Sequence, residues 1–119
     1  MTTESDVQNQ QRLITSQMGW RMWRNNCGAL QDSTGRWVRF GLGNDSKTAS
    51  QHLASADLIG IIPVLITPEH VGRTIGMFAS IECKASHGAV RVPQAQRNWQ
   101  QLVRSLGGYA IITNGEREL

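Results

Sequence analysis

Met77-Phe78-Ala79-Ser80-Ile81-Glu82-Cys83-Lys84 is the stretch on which the reading of this chain turns. Apart from Ser80 it is apolar up to Glu82, and it reads as a strand. Alternate side chains of a strand share a face. Phe78, Ser80, Glu82 and Lys84 therefore point one way, and Met77, Ala79, Ile81 and Cys83 the other. An acid and a base on one face, at the end of an otherwise apolar strand, need a reason. Taken alone, Ile81-Glu82-Cys83-Lys84-Ala85 reads first as a salt bridge at a sheet rim, since carboxylate-x-lysine on a strand is a common accident, and a reactive site needs further residues.

Beyond this strand, Ala85 to Val92 reads as a turn containing Gly88, and Pro93 suits the first position of a helix. Trp99, Leu102, Val103 and Leu106 follow helical spacing. Gly107-Gly108 ends that helix, and Tyr109 to Thr113 is a last strand. Before the decisive strand, Thr67 to Gly76 is a loop. Ala56 to Val64 is a buried strand by its Leu58-Ile59-Gly60-Ile61-Ile62 run, with Pro63 at its end or on an edge because proline donates no ladder hydrogen bond. Gly41 to Ser55 is polar and reads as a loop, long enough to suggest a functional one. Arg36 to Phe40 and Trp20 to Arg24 are strands joined by a turn-rich connection holding Asn25-Asn26, Gly28 and Asp32-Ser33-Thr34-Gly35. Thr3 to Met18 is a helix opened by a capping box over Thr3-Glu4-Ser5-Asp6. Its apolar stripe of Val7, Ile14 and Met18 is thin, which places it at the edge of the fold, and Gly19 ends it. The order αβββαβ predicts a small α/β domain with a mixed central sheet flanked by helices. One domain spans 1–119, with its core over about 4–113.

The chain has 119 residues, a length that suits one domain, and 12 basic against 9 acidic residues give a net charge of +3. Arg outnumbers Lys ten to two, and the guanidinium fork favours a polyanionic partner. Leu58 to Ile66, the longest apolar stretch, is broken by Gly60 and Pro63 and is far short of a membrane span. Met1-Thr2-Thr3-Glu4-Ser5-Asp6 lacks the basic and apolar regions of a secretory signal. Cys27 and Cys83 are too few for a disulfide framework or a Cys-rich zinc site. They read as reduced thiols of a cytoplasmic protein, with a Cys27–Cys83 bridge left open.

Asp57 opens the Leu58 strand after a long polar loop. A carboxylate there is costly unless it is paired, metal-bound or bonded to nearby backbone amides. Asp57 and Glu82 on adjacent strands would form a paired-carboxylate site, whose hard oxygens suit Mg²⁺ or Mn²⁺. Such an ion binds a phosphodiester oxygen and activates water, and Lys84 beside it would stabilise the phosphorane or orient the water. Glu4 starts the first helix, where it also favours the helix dipole. Gln96, three residues before Trp99, sits beside the stripe facing the sheet, as a site residue or as a sheet-edge amide needing partners.

The order Glu4-Ser5-Asp6-Val7-Gln8, Arg24-Asn25-Asn26-x-Gly28, Asp57-Leu58-Ile59-Gly60, Ile81-Glu82-Cys83-Lys84, Gln96-Arg97-x-Trp99 and Gly107-Gly108 resembles the VRR-NUC nucleases of the PD-(D/E)XK superfamily. It looks like their stand-alone phage- and bacteria-borne form, over about Glu4 to Thr113. The resemblance implies a restriction-endonuclease-like fold and a metal-dependent DNA endonuclease. It implies Asp57, Glu82 and the backbone carbonyl of Cys83 as ligands of Mg²⁺ or Mn²⁺, Lys84 as the catalytic lysine, and Glu4 and Gln96 as the acid and amide of the two helices at the active site. Stand-alone members are similar to Holliday junction resolvases, act as homodimers and cut four-way junctions. A phage-encoded member would work in the cytoplasm of its bacterial host. The sequence departs from the pattern in two places. Ala54-Ser55-Ala56 stands where Gly-Ser/Thr-Pro is usual, and Cys83 stands where a β-branched residue is commoner, exposing the site to oxidation or soft metals.

Arg24, Asn25, Asn26, Arg36 and Arg39 are candidate phosphate contacts or a solvated strand end. Lys47, Arg73 and Arg91 lie in loops expected near the cleft. Trp20, Trp23 and Trp37 read as core or dimer interface and Trp99 as helix core. His52, His70 and His87 show no metal spacing, and His87 follows the Lys84 strand end closely enough to reach substrate. Competing readings are a catalytically silent DNA-binding module of the same fold, a less selective nuclease on linear or flap DNA, and a small interaction protein with a rim ion pair. Sequence-specific restriction is disfavoured, since the chain leaves little room for a recognition domain.

Overall fold

A computed structural model describes residues 2–119. The protein is a small mixed α/β structure with three α-helices and short two-stranded sheets, both antiparallel and parallel. It forms two compact units, Met1–Gly60 and Ile61–Leu119.

The first unit opens with α1 (Glu4–Gln17). Its start is the expected capping box: Thr3 Oγ1 accepts from the Asp6 N–H at 3.1 Å, and Asp6 Oδ2 accepts from the Thr3 N–H at 3.0 Å. The Thr3 backbone N–H, and after it the Thr3 side chain, hold the Asp6 carboxyl below its ordinary range. Gly19, at φ 81°, turns the chain out of the helix. Val7, Ile14 and Met18 remain largely exposed, and the buried residue of α1 is Thr15, whose hydroxyl donates to Gln11 O at 2.8 Å.

β1 (Arg21–Arg24) pairs with β4 (Leu58–Ile61). The backbones approach so closely that a Cβ on Gly60 would collide with Arg21 O and Met22. β4 is shorter than the Ala56–Val64 strand expected: Asp57 precedes it in a bend, and Ile62, Pro63 and Val64 follow it exposed. Proline's missing N–H gives the reason for the early stop.

β2 (Gly28–Gln31) and β3 (Trp37–Phe40) form an antiparallel hairpin with Gly28 opposite Phe40 and Gln31 opposite Trp37. Only β3 was expected. The register is set by the turn, where Asp32 Oδ1 accepts from the Thr34 hydroxyl at 2.6 Å, the Thr34 N–H at 2.9 Å and the Arg36 N–H at 3.0 Å. These bonds, the Thr34 hydroxyl first, lower the Asp32 pKa. Trp37 is 65 % exposed rather than core. The polar segment read as a loop contains α2 (Lys47–His52), started by Ser46 Oγ accepting from the Ala49 N–H at 3.0 Å.

In the second unit, β5 (Ala79–Cys83) and β6 (Tyr109–Thr113) run parallel, with Ala79 beside Tyr109 and Cys83 beside Thr113. Between them the chain forms α3 (Gln94–Ser105), with Pro93 as its N-cap. Gly108 lets β6 pass under α3, since a Cβ there would lie 2.7 Å from Val103 Cγ1. Val103, Ala110 and Ile112 are buried here, together with Gln100. Trp99 is 37 % exposed instead of core. Where a single mixed central sheet was expected, the strands of the described residues pair as three ladders, β1 with β4, β2 with β3, and β5 with β6.

Candidate active site

The period-two pattern of β5 places Ser80 and Glu82 on the more covered face, and the backbone carries that alternation one residue past the strand, where the Lys84 N–H donates to Thr113 O at 2.8 Å. Gln96, in the first turn of α3, joins the two charges. Its Nε2 donates to Glu82 Oε1 at 2.9 Å, and its Oε1 accepts from Lys84 Nζ at 2.7 Å. Lys84 Nζ lies 3.6 Å from the same Glu82 oxygen. The lysine side chain is 17 % exposed and the glutamate 43 %. An amide suits this position because it offers a donor to the carboxylate and an acceptor to the ammonium at once. The structure thus brings together Glu82, Lys84 and Gln96 of the expected set.

The remaining expected residues are described each within its own unit. Asp57 belongs to the first unit, exposed, with its carbonyl accepting from the Asn25 N–H at 2.8 Å. Asn25 does more there: its Nδ2 donates to Ser55 Oγ at 2.7 Å and Ala56 O at 3.0 Å, and its Oδ1 accepts from the Leu42 N–H at 3.2 Å. Glu4 is exposed at the start of α1. Arg24 donates to Asn9 Oδ1 at 2.9 Å. Arg39 is held by Asn44 Oδ1 at 2.6 Å and Ser50 Oγ at 3.0 Å, and Asn44 is itself buried, donating to Gly28 O and Phe40 O. Asn26, Arg36, Lys47, Arg73 and Arg91 are exposed, as is His87. Cys27 and Cys83 are both free and exposed.

The chemistry of this donor set fits a hard divalent cation in part. No described residue hydrogen-bonds to Glu82 Oε2, because Gln96 and Lys84 both engage Oε1. In a parallel ladder, alternate residues bond to a given neighbour. Phe78 O and the Lys84 N–H bond to β6, so the Cys83 carbonyl faces the other edge of β5, where no strand pairs. Among the described residues no group of three or more His, Cys, Asp or Glu side chains gathers as a metal site, and the expected ligands are two carboxylates and one main-chain oxygen.

Sequence reasoning missed Gln100, one helical turn beyond Gln96. It is 8 % exposed, and its Nε2 is the one buried side-chain nitrogen or oxygen without a hydrogen-bond partner among the described residues. It lines a pocket of about 320 Å³ together with Ser80, Glu82, Gln96, Trp99 and Ile111. Its i, i+4 relation to Gln96 is the signal that points to it. Compared with known proteins, the chain matches no family model, no curated sequence and no solved structure. No helix of the described residues is long and apolar enough to cross a membrane.

Proposed function

We propose that this protein is a metal-dependent DNA endonuclease of the PD-(D/E)XK type, hydrolysing phosphodiester bonds in branched DNA such as four-way junctions. The observation that carries the reading is the Glu82–Gln96–Lys84 network at the end of β5. A rim ion pair needs no third partner, whereas here a glutamine fixes both charged groups at once. Lys84 Nζ is held by two oxygens and keeps donor capacity for a third. It would meet the charge developing on the phosphorane, or orient the attacking water. Glu82 and the Cys83 carbonyl would hold Mg²⁺ or Mn²⁺, with Asp57 assigned as the second carboxylate from the sequence pattern. Such an ion supplies Lewis-acid polarisation of the phosphate and a more acidic water. Glu4 keeps its place in the reading as the acid of the first helix.

Branched DNA as substrate and a homodimer as the working form follow from the resemblance of the motifs. Two symmetric sites would serve the paired strands of a junction. The reading also places the protein in the cytoplasm, that of the bacterial host for a phage-encoded chain. The test is a cleavage assay on a labelled four-way junction and a matched linear duplex, with Mg²⁺, Mn²⁺ or chelator, using the native chain and Asp57→Ala. Metal-dependent, symmetric cutting of the junction alone, lost in the variant, is the expected result. Equal cutting of both substrates removes branch selectivity. Binding without cutting replaces the enzyme by a silent DNA-binding module.

A further inference from the structure

Two four-residue stretches of this chain close into the same box, with acceptors that respond differently to acid. In Thr3-Glu4-Ser5-Asp6 the Thr3 N–H donates to Asp6 Oδ2 at 3.0 Å. In Thr67-Pro68-Glu69-His70 the Thr67 N–H donates to His70 Nδ1 at 3.1 Å, and the Thr67 hydroxyl lies 3.1 Å from the same nitrogen. This second box closes a single 3₁₀ turn, Pro68–His70, in which the His70 N–H donates to Thr67 O at 2.9 Å. A carboxylate accepts across the whole neutral range, and the bonds from Thr3 keep Asp6 ionised further into acid. An imidazole nitrogen accepts from an N–H only while it carries no proton of its own. The closed box therefore requires a bare Nδ1, with the proton of the neutral ring on Nε2. Protonation of His70 places an N–H on Nδ1 that faces the Thr67 N–H, donor against donor. The Thr67 hydroxyl can rotate to accept the new proton, but the main-chain N–H cannot reverse.

We propose that His70 is a pH-sensitive latch on the segment between β4 and β5, closed while its ring is neutral and opened when the ring takes a proton. Histidine is the side chain whose charge changes between about pH 5 and 8. The bond from Thr67 is made to the neutral form, so it is complete above the titration of the ring and is lost as pH falls through it. Among the described residues the hydrogen bonds of the ring are to Thr67 alone, and no carboxylate forms an ion pair with it. Glu69 and Arg73, the other charged side chains of the segment, are exposed. The turn runs on from the box, with the Val71 N–H donating to Pro68 O at 3.2 Å and the Arg73 N–H to His70 O at 3.0 Å. Between Ile61 and Ala79 the chain forms no other helix or strand. The box is thus the staple of the connection that leads into β5, the strand ending beside Glu82 and Lys84. The latch is independent of the nuclease reading.

The test is an NMR titration of the full chain, labelled with ¹⁵N, from about pH 8 to about pH 5. At the upper end the ring nitrogens of His70 should report the form protonated on Nε2. Hydrogen exchange of the Thr67 amide, corrected for its intrinsic dependence on pH, should speed up roughly fivefold to tenfold as the His70 ring titrates, the loss that one hydrogen bond allows. Amide signals of β5 and β6 should hold their positions, which separates opening of the turn from unfolding. His70→Asp supplies the acceptor that Thr3 already uses, and its Thr67 amide should stay protected across the whole range. His70→Ala, which has no acceptor, should exchange at the upper end as fast as the native chain does at the lower end. Thr67 exchange that stays level while the His70 ring titrates overturns the proposal. So does a His70→Asp chain that loses protection at the same pH as the native chain, because another group is then the sensor.

Discussion

Gln100→Leu should make the protein more stable, although it alters a residue that is 8 % exposed. The wild-type amide buries Nε2 with no partner among the described residues, and an unsatisfied buried donor costs about 1–3 kcal/mol. Leucine is close to glutamine in size and has a similar preference for a helix interior. The substitution therefore removes the penalty without opening a cavity, and it adds an apolar group beside Val103, which is fully buried. Allowing for some repacking strain, the expected gain is about 1–2 kcal/mol. For a chain of this size that raises Tm by about 4–8 °C. Thermal and urea unfolding followed by circular dichroism measure it, and the urea midpoint should rise at constant m-value. A variant that unfolds more than a degree or two below the native chain would refute the reasoning, since Nε2 must then have a partner in the folded protein.

One turn earlier on the same helix the opposite sign is expected. Gln96→Leu breaks the bonds to Lys84 Nζ and Glu82 Oε1 and leaves a lysine that is 17 % exposed with the ion pair alone. The loss should be about 2–3 kcal/mol after discounting for the more exposed glutamate, read as a lower urea midpoint. Gly60→Ala puts a methyl group into Arg21 O and Met22 across the β1–β4 pair and should cost about 3 kcal/mol, with poor recovery of folded protein. The Asp32 carboxyl is held below its ordinary 3.8 chiefly by the Thr34 hydroxyl. Its contribution is complete above that value and is lost as pH falls through the lower folded-state value, so acid unfolding curves should flatten there in Asp32→Asn. Lys84→Ala should bind junction DNA normally and cut it orders of magnitude more slowly in single-turnover assays, and an unchanged rate would remove Lys84 from the mechanism.

Features set by short-range rules were legible in the sequence. The capping box at Thr3 and Asp6, the Gly19 stop and the bounds of β6 are all local, and the structure reproduces them. So is the shared face of Glu82 and Lys84, which needs only the two-residue period of a strand. What the pattern missed depends on hydrogen bonds between distant or polar groups. β2 carries little apolar signal, and its pairing is fixed by the three bonds to Asp32 Oδ1. α2 is a polar helix that starts on a serine cap. Helical spacing put Trp99 in the core because spacing counts apolar residues. The buried face of α3 instead holds Gln100 and Val103, and the indole turns its N–H to Ser80. The pairing of the strands into three ladders rather than one sheet is a long-range outcome on which local pattern is silent.

Asn25 has a structural role that residue type alone did not announce. Beside Arg24 and Asn26 it looked like a phosphate contact. Its side chain instead reaches Ser55 Oγ, Ala56 O and the Leu42 N–H, and its own N–H holds Asp57 O. Ser55 closes the loop further by donating to Leu42 O at 2.5 Å. The segment entering Asp57 is Ala54-Ser55-Ala56, where the resemblance drawn from the sequence leads one to expect a glycine- and proline-bearing turn. A proline restricts such a turn through its ring, whereas here an amide from the end of β1 restricts it through hydrogen bonds. These bonds fix the backbone and leave the Asp57 carboxylate exposed. Asn25 therefore positions the Asp57 backbone and ties the Ala54-Ser55-Ala56 segment down within the same unit.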